Sequence, residues 1–157
     1  MTTTLATGFQ IHPIPASVLT GVRANRDGDV TVERLVAEGG EPLRCCLRNA
    51  EPGERAILFS YELPLPPSPY RETGPVYVHA EPCSGPASRT DYPAQWRGRP
   101  QVLRAYDSRG RIHEATRVHN GQAPEAVIAE ILANPEVAYL HSRNVAYGCY
   151  MFAITRS

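Results

Sequence analysis

His79, Glu81 and Cys83 follow one another at every second position, in the run His79-Ala80-Glu81-Pro82-Cys83. On a β-strand that spacing projects three side chains from one face. A metal needs ligands that converge in this way, and histidine with cysteine suits zinc. Cys46 is the thiol that could join from a distant part of the chain, so Cys46, His79 and Cys83 form a candidate metal set. Pro82 bends the chain within the motif, and no C-x-x-C or H-x-x-x-H pair reinforces it. The competing reading is a strand end beside an ordinary thiol.

A second cluster is His141-x-Arg143 with Cys149. A turn over 143–147 would fold a strand at 137–142 back onto one at 148–155 and bring residues 141 and 149 within cross-strand reach. A cysteine beside a histidine and an arginine has its thiolate favoured, which makes Cys149 a candidate nucleophile and His141 its base. Cys149 also begins an apolar run, Cys-Tyr-Met-Phe-Ala-Ile, where a cysteine can serve as a small hydrophobe. A third cluster is Arg104-x-Tyr106, a guanidinium and a phenol on one face of a strand. Arg44 and Arg143 would join it if their strands are neighbours. Such forks bind carboxylate or phosphate in a bidentate manner. The alternative is surface pairing with some of the twelve glutamates. Gly39-Gly40 precedes Glu-Pro rather than a helix, so it is not a phosphate loop, and there is no G-x-S-x-G elbow.

The elements that must position these residues are mostly strands. Residues 55–63 have a buried-looking centre, 75–81 follow, and 101–107 with 111–118 flank Asp107-Ser108-Arg109-Gly110, a hairpin signal. Residues 137–142 and 148–155 close the series, and 30–36 form a weaker strand. A short helix fits from Pro15 through Val22. The best helix spans about 124–133: Pro124 suits its first position, and Val127, Ile128, Ile131 and Leu132 share one stripe. Asn134-Pro135 stops it. Residues 82–100 are rich in proline and glycine and read as a long irregular loop, a class that is often functional. Residues 1–7 read as a floppy polar stretch. The expectation is one α+β domain over 1–157, mainly an antiparallel sheet with the 124–133 helix packed on it.

Composition narrows the function classes. The 157 residues are 42% hydrophobic, enough for one good core and too few for two full domains. Net charge is zero, so no global field draws in nucleic acid or an anionic membrane. All 16 basic residues are arginine. With no lysine, Schiff-base chemistry on a lysine side chain is excluded. No apolar run is long enough to span a bilayer, and the stretch MTTTLATGF lacks signal-peptide features. A cytoplasmic protein is expected, with its four cysteines reduced. Cys45 and Cys46 should face opposite ways if their segment is extended.

Four ordered segments, RCCLRNAEPGE (44–54), SPYRETGPVYVHAE (68–81), LRAYDSRGRI (103–112) and VAYLHSRNVAYGCY (137–150), resemble DUF1203, a bacterial family of unknown function. The resemblance runs from about residue 40 onward. The family pattern starts its first motif with Pro-Cys-Arg, whereas this chain has Leu43 between Pro42 and Arg44, so a thiol is missing there. Cys46 matches a second cysteine of some members. The resemblance implies a coherent fold and no mechanism. The working expectation is a small enzyme or binder acting on a small polar or anionic molecule beside the 82–100 loop. Arg104 and Arg143 would anchor the molecule, and Cys149 with His141 would act on it. A non-catalytic binding module and a zinc-stabilised protein are the alternatives.

Overall fold

A computed structural model describes residues 8–25 and 28–157. The floppy stretch expected over 1–7, together with Arg26 and Asp27, lies outside the described residues. The elements run β1 (Phe9–His12), α1 (Ala16–Ala24), β2 (Val32–Val36), β3 (Pro42–Leu43), β4 (Arg48–Asn49), β5 (Arg55–Glu62), β6 (Thr73–His79), β7 (Gln101–Tyr106), β8 (Ile112–His119), α2 (Pro124–Leu132), β9 (Tyr139–Asn144) and β10 (Tyr150–Arg156). The protein is mostly β with two short helices, broadly the α+β architecture expected. The strands divide into two five-stranded sheets rather than one, in the orders β1-β10-β9-β7-β8 and β2-β5-β6-β3-β4. Pairing is antiparallel except between β3 and β6. No helix among the described residues is long and apolar enough to cross a membrane.

Each sheet has its own apolar layer, and the sequence patterns explain both. In the second sheet, β5 and β6 bury Ile57, Phe59, Tyr61, Val76 and Val78, and Leu19 and Val22 of α1 pack on them. In the first sheet, Ile128, Ile131 and Leu132 of α2 pack with Leu103, Leu140, Phe152 and Ile154, while Val127 is half-buried. The helical stripe read from the sequence is therefore the face that α2 buries. Each fully buried aliphatic side chain there contributes about 1.5–3 kcal/mol.

Strand β10 belongs to both layers. A register shift between Tyr150 and Phe152 breaks its alternation. Tyr150 and Ala153 turn to the layer of the second sheet, whereas Met151, Phe152 and Ile154 turn to that of the first. A strand buried on both sides has no polar face, which is why its sequence is continuously apolar.

The 82–100 segment crosses from β6 of one sheet to β7 of the other and is tied at several points. Trp96 is buried, stacks on Phe152 with centroids 6.0 Å apart, and donates from Nε1 to Asn49 Oδ1 at 2.8 Å. Tyr92 is buried and donates to Gln101 Oε1 at 2.8 Å. The Ile11 amide donates to the Arg89 carbonyl at 2.7 Å. These anchors give an irregular segment a defined path.

Candidate metal centre

The centre begins with a tight hairpin. Between β3 and β4, residues 44–47 form a turn closed by the Leu47 amide on the Leu43 carbonyl at 2.9 Å. Leu47 sits at φ 56°, a left-handed conformation that is uncommon for an aliphatic residue. The parallel register sets Leu43 beside Tyr77. Advancing two residues along both chains brings Cys45 to His79, and the His79 amide donates to Cys45 Sγ at 3.2 Å.

Four potential ligand atoms meet there. Those of Cys45, Cys46, His79 and Cys83 all lie within 4.8 Å of one another, with the first three residues buried and Cys83 exposed. Cys45 Sγ is 4.0 Å from Cys46 Sγ. His79 Nδ1 is 3.4 Å from Cys45 Sγ and 3.6 Å from Cys46 Sγ. A tetrahedral zinc with Zn–S of about 2.3 Å and Zn–N of about 2.1 Å needs S···S edges of about 3.8 Å and S···N edges of about 3.6 Å. The three separations match those edges.

The surroundings complete the pattern. Nε2 of His79 lies 3.0 Å from Glu54 Oε2. Nε2 also lies 3.1 Å from the Arg48 guanidinium; the tautomer that donates the Nε2 proton to Glu54 is the one that leaves the Nδ1 lone pair facing the sulfurs, as a metal requires. Glu54 is itself held by Arg48 through two 3.0 Å bonds. The Arg48 guanidinium pulls the Glu54 carboxyl down to about 2, so it is an anion at neutral pH. Among the thiols, the hydrogen bond that Cys45 donates lowers the pKa of Cys46. The same bond, reinforced by burial, raises that of Cys45. Of these two neighbours, Cys46 thus gives up its proton before Cys45. It opens onto a cavity of about 550 Å³, whose other walls are Leu47, Arg48 and the 84–88 and 91–95 stretches of the loop. The thiol that lines this cavity beside the 82–100 loop is Cys46.

The set read from the sequence, Cys46, His79 and Cys83, is brought together, and Cys45 is the member that was missed. Adjacent cysteines face opposite ways only in extended chain, and residues 44–47 turn instead. Glu81 departs in the other direction: β6 ends at His79, the chain bends, and Glu81 lies near Thr20, Arg23 and Arg34. Only the side chain two residues before Cys83 is lost from the motif, because Pro82 does not continue the pleat.

The other expected residues are placed differently. His141 pairs with Ala153, and the Asn144 amide bonds the Cys149 carbonyl at 2.9 Å. Cys149 is therefore three ladder positions from His141, roughly 10 Å along the strand. The expected thiol–imidazole pair does not form, because Asn144 faces Cys149 and the connection is centred between residues 146 and 147, whereas a centre at residue 145 would set 141 opposite 149. His141 is fully buried between the rings of Tyr106 and Tyr150, and burial lowers its pKa to about 3. Arg104 and Arg143 do converge, but on Glu72 Oε1, with Arg104 at 3.1 Å. Arg44 does not join them: it is 2% exposed and donates to the Tyr150 and Pro42 carbonyls, stitching β3 to β10. Tyr106 is fully buried and its hydroxyl has no hydrogen-bond partner among the described residues.

No curated protein and no solved structure matches the chain significantly. One family model does, over residues 40–156, a span that holds β3 to β10 and all four cysteine and histidine ligand candidates. The chain belongs to DUF1203, a family of proteins of unknown function.

Proposed function

We propose that the protein binds one zinc ion through Cys45, Cys46, His79 and Cys83, and that the ion fastens the 82–100 loop to the sheet beneath it. The observation that carries this reading is His79, whose Nδ1 faces two thiols at tetrahedral spacing while its Nε2 rests on an arginine-held carboxylate. Three thiolates and one imidazole fill four positions, the composition of a closed, structural site. Zinc supplies the charge that keeps three neighbouring sulfurs ionised. The His79 amide adds a hydrogen bond to one of them. Reduced thiols at this density suit a reducing compartment such as the cytoplasm.

A second reading rests on the same geometry. Cys46, His79 and Glu54 stand in the order of a nucleophile, a base and its orienting carboxylate, and Cys46 faces the 550 Å³ cavity. Thiol catalysis on a small molecule would use these three, but it leaves Cys45 and Cys83 without a role. Native mass spectrometry of the full chain, purified without chelator and offered zinc, separates the two. One zinc per chain, lost in Cys83→Ser and His79→Ala, is the result expected. A zinc-free protein with one fast-labelling thiol that disappears in Cys46→Ser would overturn the metal reading in favour of the second.

A further inference from the structure

A second cavity, of about 400 Å³, lies on the other side of the loop, between β1, the start of α1 and strand β10. Its walls include Ile14, Pro15, Tyr61, Pro64, Tyr139 and Tyr150. It shares no residue with the cavity beside Cys46. A volume of this size suits a small ligand. Its chemistry has two parts. The interior is apolar and aromatic: the Tyr61 and Tyr150 rings lie 5.9 Å apart, both almost fully buried. Neither phenol hydroxyl makes a hydrogen bond to the described residues, nor is either among the sealed, unpartnered polar atoms. Burial raises the pKa of both, to about 12 for Tyr61, so both are hydroxyl donors at neutral pH.

The rim carries the charge. Arg89 lines the cavity, is exposed, and forms no ion pair among the described residues. Its backbone is fixed there, because its carbonyl accepts the Ile11 amide from β1. The neighbouring His12 is bonded to Thr155 at 2.7 Å, and its pKa is lowered by burial and then by Arg89. It is therefore neutral, which leaves Arg89 as the cation. No Asp or Glu lines the cavity.

We propose that this cavity binds a small monocarboxylic acid with an aromatic or aliphatic body. The carboxylate pairs with the Arg89 guanidinium, and the body lies among Tyr61, Tyr139, Tyr150 and Ile14. A single unpaired fork matches one planar carboxylate, and the apolar walls exclude a fully hydrated anion such as free phosphate. The phenols of Tyr61 and Tyr150 stand ready to donate to an oxygen further along the ligand.

The test is a nuclear magnetic resonance titration of the full, zinc-supplemented chain with benzoate, 3-phenylpropionate and octanoate, each against its neutral amide. Saturable shifts confined to residues 12–16, 61, 139 and 150 are expected. The preferred acid should bind about tenfold more tightly than its amide, the worth of one charge-assisted pair. Arg89→Gln should erase that difference and leave amide binding unchanged, and Arg89→Lys should keep part of it. Ile14→Trp, with a well-dispersed spectrum, should abolish both. Equal binding of acid and amide to the unaltered protein overturns the proposal. So does the absence of saturable shifts at these residues from all three acids up to about 10 mM, and so do shifts centred on Cys46 and Ser84 instead.

Discussion

His79 is gripped at both ends of its ring, by two sulfurs at Nδ1 and by Glu54 at Nε2. Removing the ligand and removing its support should therefore have different consequences. His79→Ala should abolish zinc uptake. Glu54→Gln should weaken it by about 10–100-fold, since the second partner orients the ring without touching the ion. A competition assay with a chromophoric chelator measures both, and equal loss in the two variants would refute the supporting role. His141 offers a separate check on burial. The unfolded chain takes up a proton at this residue near pH 6.5, whereas the folded protein does so only near pH 3. Its contribution is present in full above pH 6.5 and is lost as pH falls between those values, by up to about 1.4 kcal/mol per pH unit. His141→Phe should flatten the decline of urea-unfolding stability across that window relative to the unaltered protein. An unchanged slope would mean that His141 is protonated in the fold.

At the scale of elements, α2 should behave as a core helix. Ile128→Ala should cost about 2–5 kcal/mol, because Ile128 is fully buried against the first sheet. Gly121, just before α2, is constrained in two ways. It has φ 84°, and a Cβ there would lie 2.3 Å from the Arg99 amide nitrogen, so the 98–99 backbone runs directly over it. Gly121→Ala should be more costly than the about 1 kcal/mol expected of the left-handed conformation alone. Thermal unfolding of the two variants measures both effects. The elements legible in the sequence were those with a period to read. Strands β5 to β10 showed apolar centres or turn signals at their ends, and α2 showed its stripe. The pair β3 and β4 has two residues in each strand, too few to show alternation, and its place depends on pairing with β6, thirty-odd positions further on. Cys45 was missed for that reason, since only the turn over 44–47 aims it at His79. The same limit explains Cys149 and His141. A turn was legible between their strands, but not the pairing that closes it, nor the register shift beyond Tyr150.

Across the whole molecule, the two apolar layers meet on β10, so the sheets should not melt separately. Near-ultraviolet circular dichroism and Trp96 fluorescence should report one coincident transition, although Trp96 belongs to only one layer. Chelation should act on a different region. If the proposed ion holds the 82–100 loop, removing it releases the tie at Cys83 and leaves those at Arg89, Tyr92 and Trp96. Proteolysis in the zinc-depleted protein should therefore cut between residues 84 and 88 and spare 89–96. Cleavage that does not respond to zinc would show that the ion does not hold the loop.

Strand β10 also has a bearing on how the chain matures during its synthesis. Among the described residues β1 has no strand neighbour except β10, and their register joins residues as far apart as Phe9 and Arg156. A ribosome delivers these partners at opposite ends of nearly the whole span, so β1 leaves the exit tunnel with its ladder unmade and stays so while every other described element emerges. The 9–14 segment carries Phe9, Ile11 and Ile14 through that interval. Closing so long a loop is slow, and an unpaired apolar strand is open to the wrong neighbours until it closes. For this protein the vulnerable period lasts until β10 has emerged and paired with β1, and a chaperone that masks short apolar segments would have most effect on yield in that interval.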